Sequence, residues 1–276
     1  MRRNVLYIAL VAGVALVTVA ALMLMRSCAV QKQGDGEETV NGWEAGYVSP
    51  YDWEKLDRTD GRLAYVVDGQ VKSRLGIDVS ENQHAIDWAA VAADGVDFAI
   101  VRLGYRGATE GGLYLDEYYE GNLAGAKAAG LDCGVYFFSQ AKTVNEAIEE
   151  ADFVLENLRG TKLEYPIAFN SEETVHGVEQ ARTTDLENDE MTAIAEAFCN
   201  RVEQAGYRSM VYGNYYDMSR YHYENMQNRA IWWAEYDVPS PTAQIDIVMW
   251  QYSAETQVEG ISTGVDMNID LAGVLG

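Results

Sequence analysis

Basic residues are scarce in this chain: 20 Lys and Arg stand against 43 Asp and Glu, a formal net charge of -23 over 276 residues. With no basic patch along the sequence, a polyanion would be repelled, so nucleic acid is not expected as a partner. Histidine and cysteine are scarcer still, three of each. His84, His176 and His222 lack metal-ligand spacing and there is no zinc motif, so no metal and no cofactor are expected. Cys133 falls in an apolar strand-like run and Cys199 in a helix-like one, where a free buried thiol is ordinary. A location outside the cytosol would permit a Cys133–Cys199 disulfide, but spacing alone does not imply one. No internal repeat is found.

Charge is absent altogether from Val5 to Met25, a run that follows Met1-Arg2-Arg3. A helix needs about 20 apolar residues to cross the hydrocarbon core, and the two arginines favour an inside amino end. Residues 1–28 therefore read as a membrane anchor with the rest outside. A cleaved signal segment is the alternative, although the run is long for one and has no small-residue cleavage pattern after it. A lipidated Cys28 is disfavoured by its Met25-Arg26-Ser27 lead-in. Residues 29–60 read as an acidic linker too poor in apolar groups to form a core. In 61–72, Asp68-Gly69 between two strand-like runs reads as a hairpin that plugs or braces the start of the larger folded region after it.

From residue 73 onward, short apolar runs alternate with helical ones. Strands are expected at Phe98–Leu103, Cys133–Phe138, Arg208–Tyr212, Ala230–Ala234 and Ile247–Trp250, and helices over Gly121–Ala129, Asn145–Leu158 and Glu190–Ala205. Alternation of this kind implies parallel strands joined by crossover helices. The richest stretch is Tyr165-Pro166-Ile167-Ala168-Phe169-Asn170-Ser171-Glu172. Side chains alternate with period two along a strand, so Asn170 and Glu172 point the same way. Gly76-Ile77-Asp78-Val79-Ser80 and Gly264-Val265-Asp266-Met267-Asn268 end similarly. If all three are C-terminal ends of parallel strands, three acids and an amide meet at one mouth of a barrel, where such folds keep their active sites.

Those residues carry a resemblance to the glycoside hydrolase family 25 lysozymes, the Chalaropsis-type muramidases, over roughly residues 73 to 270. The matching stretches include Gly76–Ser80, Ile86-Asp87-Trp88, Phe98–Arg102 and Gly134–Phe138. Tyr165–Glu172, Ala205-Gly206-Tyr207 with Val211-Tyr212, Ile231–Tyr236, Trp250–Ser253, Gly260-Ile261 and Val265–Asn268 follow in the family's order. The resemblance implies an α/β fold, a TIM-like (β/α) barrel not necessarily regular, over 73–276. It also implies hydrolysis of the β-1,4 bond between N-acetylmuramic acid and N-acetylglucosamine in peptidoglycan, with Glu172 as general acid and Asp78, Asp266 and Asn170 holding the sugar. Tyr136, Phe138, Tyr212, Trp233, Tyr236, Gln251 and Asn268 are the expected substrate contacts, because aromatic faces stack on pyranose rings. The implied location is a bacterial cell membrane, single-pass with the barrel outside, or a secreted form.

Two departures from the family stand out. Its central motif is an aspartate, any residue, then the glutamate, and Asn170 stands where the aspartate belongs. The amide keeps the size and one acceptor oxygen but not the charge. A weakly active or inactive peptidoglycan-binding barrel is therefore the alternative reading. His84 stands where the family usually has glycine, at a loop beside the cleft.

Overall fold

The computed structural model describes residues 46–172, 180–226 and 229–275. The expected anchor over 1–28 and most of the linker lie outside them, as do Glu173 and His176. Among the described residues no helix is long and apolar enough to cross a membrane.

The chain enters through a three-stranded antiparallel sheet: β1 (Leu56–Thr59), β2 (Arg62–Val67) and β3 (Gln70–Val71). Asp68 and Gly69, both at positive φ (52° and 74°), make the tight turn between β2 and β3. β1 lies inside the stretch that composition assigns to the linker. The sheet and the segment leading into it brace the barrel's flank: the Tyr51 hydroxyl, ahead of β1, donates to the Ile247 carbonyl at 2.9 Å and Arg58 of β1 donates to the Val238 carbonyl at 3.0 Å. Arg62 is paired with Asp94.

Eight strands then close a barrel in the order β4 (Arg74–Val79), β5 (Phe98–Arg106), β7 (Asp132–Phe138), β8 (Ile167–Asn170), β9 (Ser209–Gly213), β10 (Ala230–Ala234), β11 (Met249–Thr256) and β12 (Val265–Asp270). The short β6 (Leu113–Leu115) hangs antiparallel on the end of β5. The barrel strands β4, β5 and β7 through β11 run parallel, but β12 is antiparallel to both β11 and β4. This corrects the expectation for Asp266: it begins an antiparallel strand instead of ending a parallel one. The start of β12 reaches the same mouth as the end of β4, because Asp266 pairs with Asp78 in register.

Two apolar layers hold the barrel. Outward-facing Val101, Phe137, Phe169 and Val211 pack beneath the helices, with the Val144–Leu158 helix presenting Ala147, Ala151, Val154 and Leu158 and the Asn188–Gln204 helix presenting Met191, Ile194, Phe198 and Val202. Cys133 and Cys199 belong to this layer as free, buried thiols. The lumen is filled by Phe98, Ile100, Ala168, Met210, Trp232 and Met249. Gly76 faces Phe98 in register, and a Cβ there would collide with the phenyl ring. The glycine of the Gly-Ile-Asp motif thus makes room for a lumen ring.

Asp87 of the Ile86-Asp87-Trp88 stretch is the N-cap of the Trp88–Ala93 helix, accepting from the Ala89 and Ala90 N–H groups. His84 closes the turn after β4 at φ 55°, ψ -140°, a conformation that suits glycine. Its ring meets Tyr118 edge-on at 6.3 Å. Relief of strain there outweighs the added chain entropy, so His84→Gly is expected to stabilise the fold by about 1 kcal/mol in denaturant titration. A less stable variant would show that the imidazole's contacts matter more than its backbone.

Candidate active site

Inter-strand register places one row of residues across the barrel's C-terminal mouth. Phe138 of β7 pairs with Asn170 of β8, Asn170 with Tyr212 of β9, and Tyr212 with Trp232 of β10. Paired residues on parallel strands point to the same side. Glu172 stands just past the end of β8, half-buried, and its Oε1 accepts from Asn170 Nδ2 at 3.2 Å. Burial pushes the Glu172 carboxyl up to about 7; the nearby Asp217 and Asp78 carboxylates push the same way and the Asn170 bond opposes them. Asn170 is itself buried, and its Oδ1 accepts no hydrogen bond from the described residues.

Across the mouth, Asp78 is buried and its Oδ2 accepts from Gln251 Nε2 at 2.7 Å and from Asn268 Nδ2 at 2.8 Å. Both amides are held in that orientation from behind. Gln251 Oε1 accepts from the hydroxyls of Tyr212 (2.8 Å) and Tyr236 (2.6 Å), and Asn268 Oδ1 accepts from Trp232 Nε1 at 2.7 Å. A flipped amide would face N–H against N–H or O–H, so the network fixes each one. Asp266 lies opposite Asp78. Burial raises both carboxyls, and Asp78's charge raises Asp266 further, whereas the two amide donors favour ionised Asp78. The pair therefore carries one proton near neutrality, mainly on Asp266.

The aromatic walls divide by strand face. Tyr136 and Tyr212 pack on the lumen layer, with Trp232 edge-on to both at 6.3 and 4.6 Å. Phe138 is half-buried beside Asn170, and Tyr236 is 41% exposed at the rim. Trp233 does not join them. It is fully buried in the layer beneath the helices and its Nε1 donates to Glu235 Oε2 at 2.9 Å. The tryptophan that faces the lumen is Trp232, buried beneath the mouth with its Nε1 on Asn268.

Two groups near the site were missed by sequence reasoning. Asp217 is buried on the short Tyr215–Met218 helix after β9, where it accepts from the Asn214 N–H while Asn214 accepts from its own N–H. Its signal was legible as an Asn-x-x-Asp capping box directly after a strand. Arg102 of β5 is bound to Asp116 at 2.7 Å and to Glu81 at 2.9 Å, one row below the mouth. Among the described residues no group of three or more His, Cys, Asp or Glu is arranged to hold a metal.

The sequence matches the family model for glycosyl hydrolases family 25 over residues 77–261. An autolytic lysozyme of Clostridium acetobutylicum is 28% identical over 201 residues, 72% of this chain and 56% of the relative. Lysozyme M1 of Streptomyces globisporus is 27% identical over 200 residues, 70% of this chain and 66% of the relative. The chain thus spans between about half and two thirds of the curated relatives it matches. A crystal structure of a bacterial lysozyme from Streptomyces coelicolor superposes with a TM-score of 0.60 at 25% identity, covering 71% of this chain and 90% of that one. The modular autolysin LytC from Streptococcus pneumoniae, 24% identical with a TM-score of 0.64 over 78% of this chain and 51% of that one, shares the fold.

Proposed function

The chain belongs to glycosyl hydrolase family 25, and on that premise we propose that it is a muramidase, hydrolysing the β-1,4 bond between N-acetylmuramic acid and N-acetylglucosamine in peptidoglycan with Glu172 as general acid. One observation carries the reading: the half-buried carboxyl at the mouth is raised to about 7, so it still holds a proton to give at neutral pH. Glu172 protonates the glycosidic oxygen as the bond to the anomeric carbon breaks, and the substrate's acetamido oxygen or a water attacks that carbon. Asn170 Nδ2 orients Glu172, and its unpartnered Oδ1 accepts the acetamido N–H. The single negative charge shared by Asp78 and Asp266 faces the positive charge that develops on the sugar. Tyr136, Phe138, Tyr212 and Tyr236 supply stacking faces and edges, while Gln251 and Asn268, the latter held by the buried Trp232 indole, keep Asp78 in place.

In this reading residues 73–276 are the catalytic barrel, 61–72 its hairpin brace, and Val5–Met25 an anchor that places it outside the membrane. The names of the relatives, an autolytic lysozyme and a lysozyme, support a cell-wall substrate. A second reading, a peptidoglycan-binding barrel with little or no turnover, is favoured by one observation, the neutral amide at position 170.

The test is end-group analysis. The full chain is incubated with purified peptidoglycan and the products are reduced with borohydride; cleavage at the proposed bond yields muramitol. Because the acid must be protonated, kcat/KM should fall about tenfold per pH unit above about 7. Glucosaminitol would overturn the bond assignment, and a rate level through pH 8.5 would overturn Glu172 as the acid.

A further inference from the structure

The β5–β6 hairpin contains a feature that closing the barrel does not require. Along β5, Phe98, Ile100 and Arg102 face the lumen side, and strict alternation would send Gly104 inward and Tyr105 outward. The register with β7 slips between Arg102 and Gly104, so that Tyr105 pairs with Phe138. A bulge re-aims the side chains beyond it. Tyr105 therefore joins Phe138, Asn170 and Tyr212 in the row across the mouth, two strands or about 10 Å from Asn170. Tyr114 lies opposite on β6, its ring stacked on Tyr105 at 5.4 Å and 28°, and it is 43% exposed. Arg102 covers Tyr105 from below at 5.4 Å.

A lone exposed tyrosine needs no explanation, but this pair is held on a clamped hairpin. Buried Arg106 binds fully buried Glu150 at 2.7 Å and reaches the Gly111 and Glu146 carbonyls at 2.9 and 3.0 Å. The Arg182 N–H donates to the Ala108 carbonyl at 3.0 Å. Gly104 lets β6 approach, since a Cβ there would collide with the Tyr114 carbonyl. Rings fixed in advance lose little freedom when a ligand docks.

We propose that Tyr105 and Tyr114 form a distal saccharide-binding platform, on which the glycan strand stacks a sugar beyond those at the bond being cleaved; this rests on the muramidase reading. The platform selects polymeric strands over short fragments. It sits beside the row that holds Asn170, and the exposed Tyr114 ring, backed by Tyr105 and Arg102, suits the apolar face of a pyranose ring.

The test compares kcat/KM of the full chain on purified peptidoglycan and on a soluble tetrasaccharide of the same repeat. Tyr105→Ala with Tyr114→Ala should lower the polymer-to-tetrasaccharide ratio about tenfold, and Tyr105→Phe with Tyr114→Phe, which keeps both rings, should restore it to within about twofold. An unchanged ratio in the alanine pair would overturn the platform while leaving the muramidase reading intact. Should the natural chain release no product, the muramidase reading fails on its own, and co-sedimentation with peptidoglycan decides the platform: weaker pelleting of the alanine pair supports it and equal pelleting overturns it.

Discussion

Replacing Glu172 with Gln is expected to lower product release from peptidoglycan by about 10²–10⁴-fold, the usual contribution of a positioned general acid, or about 3–5 kcal/mol of barrier. Co-sedimentation with the same substrate should persist, because the amide keeps the shape of the side chain and an oxygen to accept from Asn170 Nδ2. The same substitution should stabilise the chain at alkaline pH. Glu172's carboxyl lies higher in the folded state, at about 7, than its ordinary value of 4.5. Its contribution to stability is therefore full below pH 4.5 and is lost as pH rises through about 7, where a half-buried negative charge must be kept near Asp217 and Asp78. Gln carries no such charge, so the variant should gain about 1–3 kcal/mol over the natural chain at pH 8 and nothing at pH 4. Paired melts at the two pH values check this. A variant that loses activity and is also destabilised at pH 8 would show Glu172 acting as a structural brace.

Asn170 and Glu172 were legible because period-two spacing at the end of an apolar run leaves few alternatives. Asp78 was legible for the same reason. The direction of β12 was not, since period two is the same for a strand read either way, and only the register of Asp266 on Asp78 reveals it. Trp232 and Trp233 could not be told apart because a barrel strand is buried on both faces and shows no polar alternation. Tyr105 depended on a bulge that composition does not mark. The buried Arg106–Glu150 pair reads as ordinary surface charge on a hairpin and a helix, although both side chains are almost wholly enclosed. His84 is the converse case: its departure from glycine was visible in the sequence, and the backbone there adopts the positive φ that glycine would take without strain.

Substitution of Asn170 by Asp separates the two functional readings. In a muramidase limited by its neutral amide, Asn170→Asp should raise kcat by about 10²–10³-fold, the size of effect seen when one preorganised stabilising group is added or removed. The gain has a defined origin. Asn170 Oδ1 is buried and accepts no hydrogen bond from the described residues, so a carboxylate oxygen there would meet the substrate's acetamido N–H with a full charge where the amide offers only a dipole. The charge also acts on Glu172, which Asn170 Nδ2 now contacts at 3.2 Å. A carboxylate in that place removes the donor that favours ionised Glu172 and adds repulsion, so the acid should move above about 7 and carry the alkaline limb of the pH profile with it. A faster variant whose limb moves up would identify the natural chain as a slowed enzyme. Activity in the variant with none in the natural chain would instead identify a binding barrel one substitution away from catalysis. A variant no faster than the natural chain, with its limb unmoved, would mean that the amide at 170 already meets the acetamido group as well as this site requires.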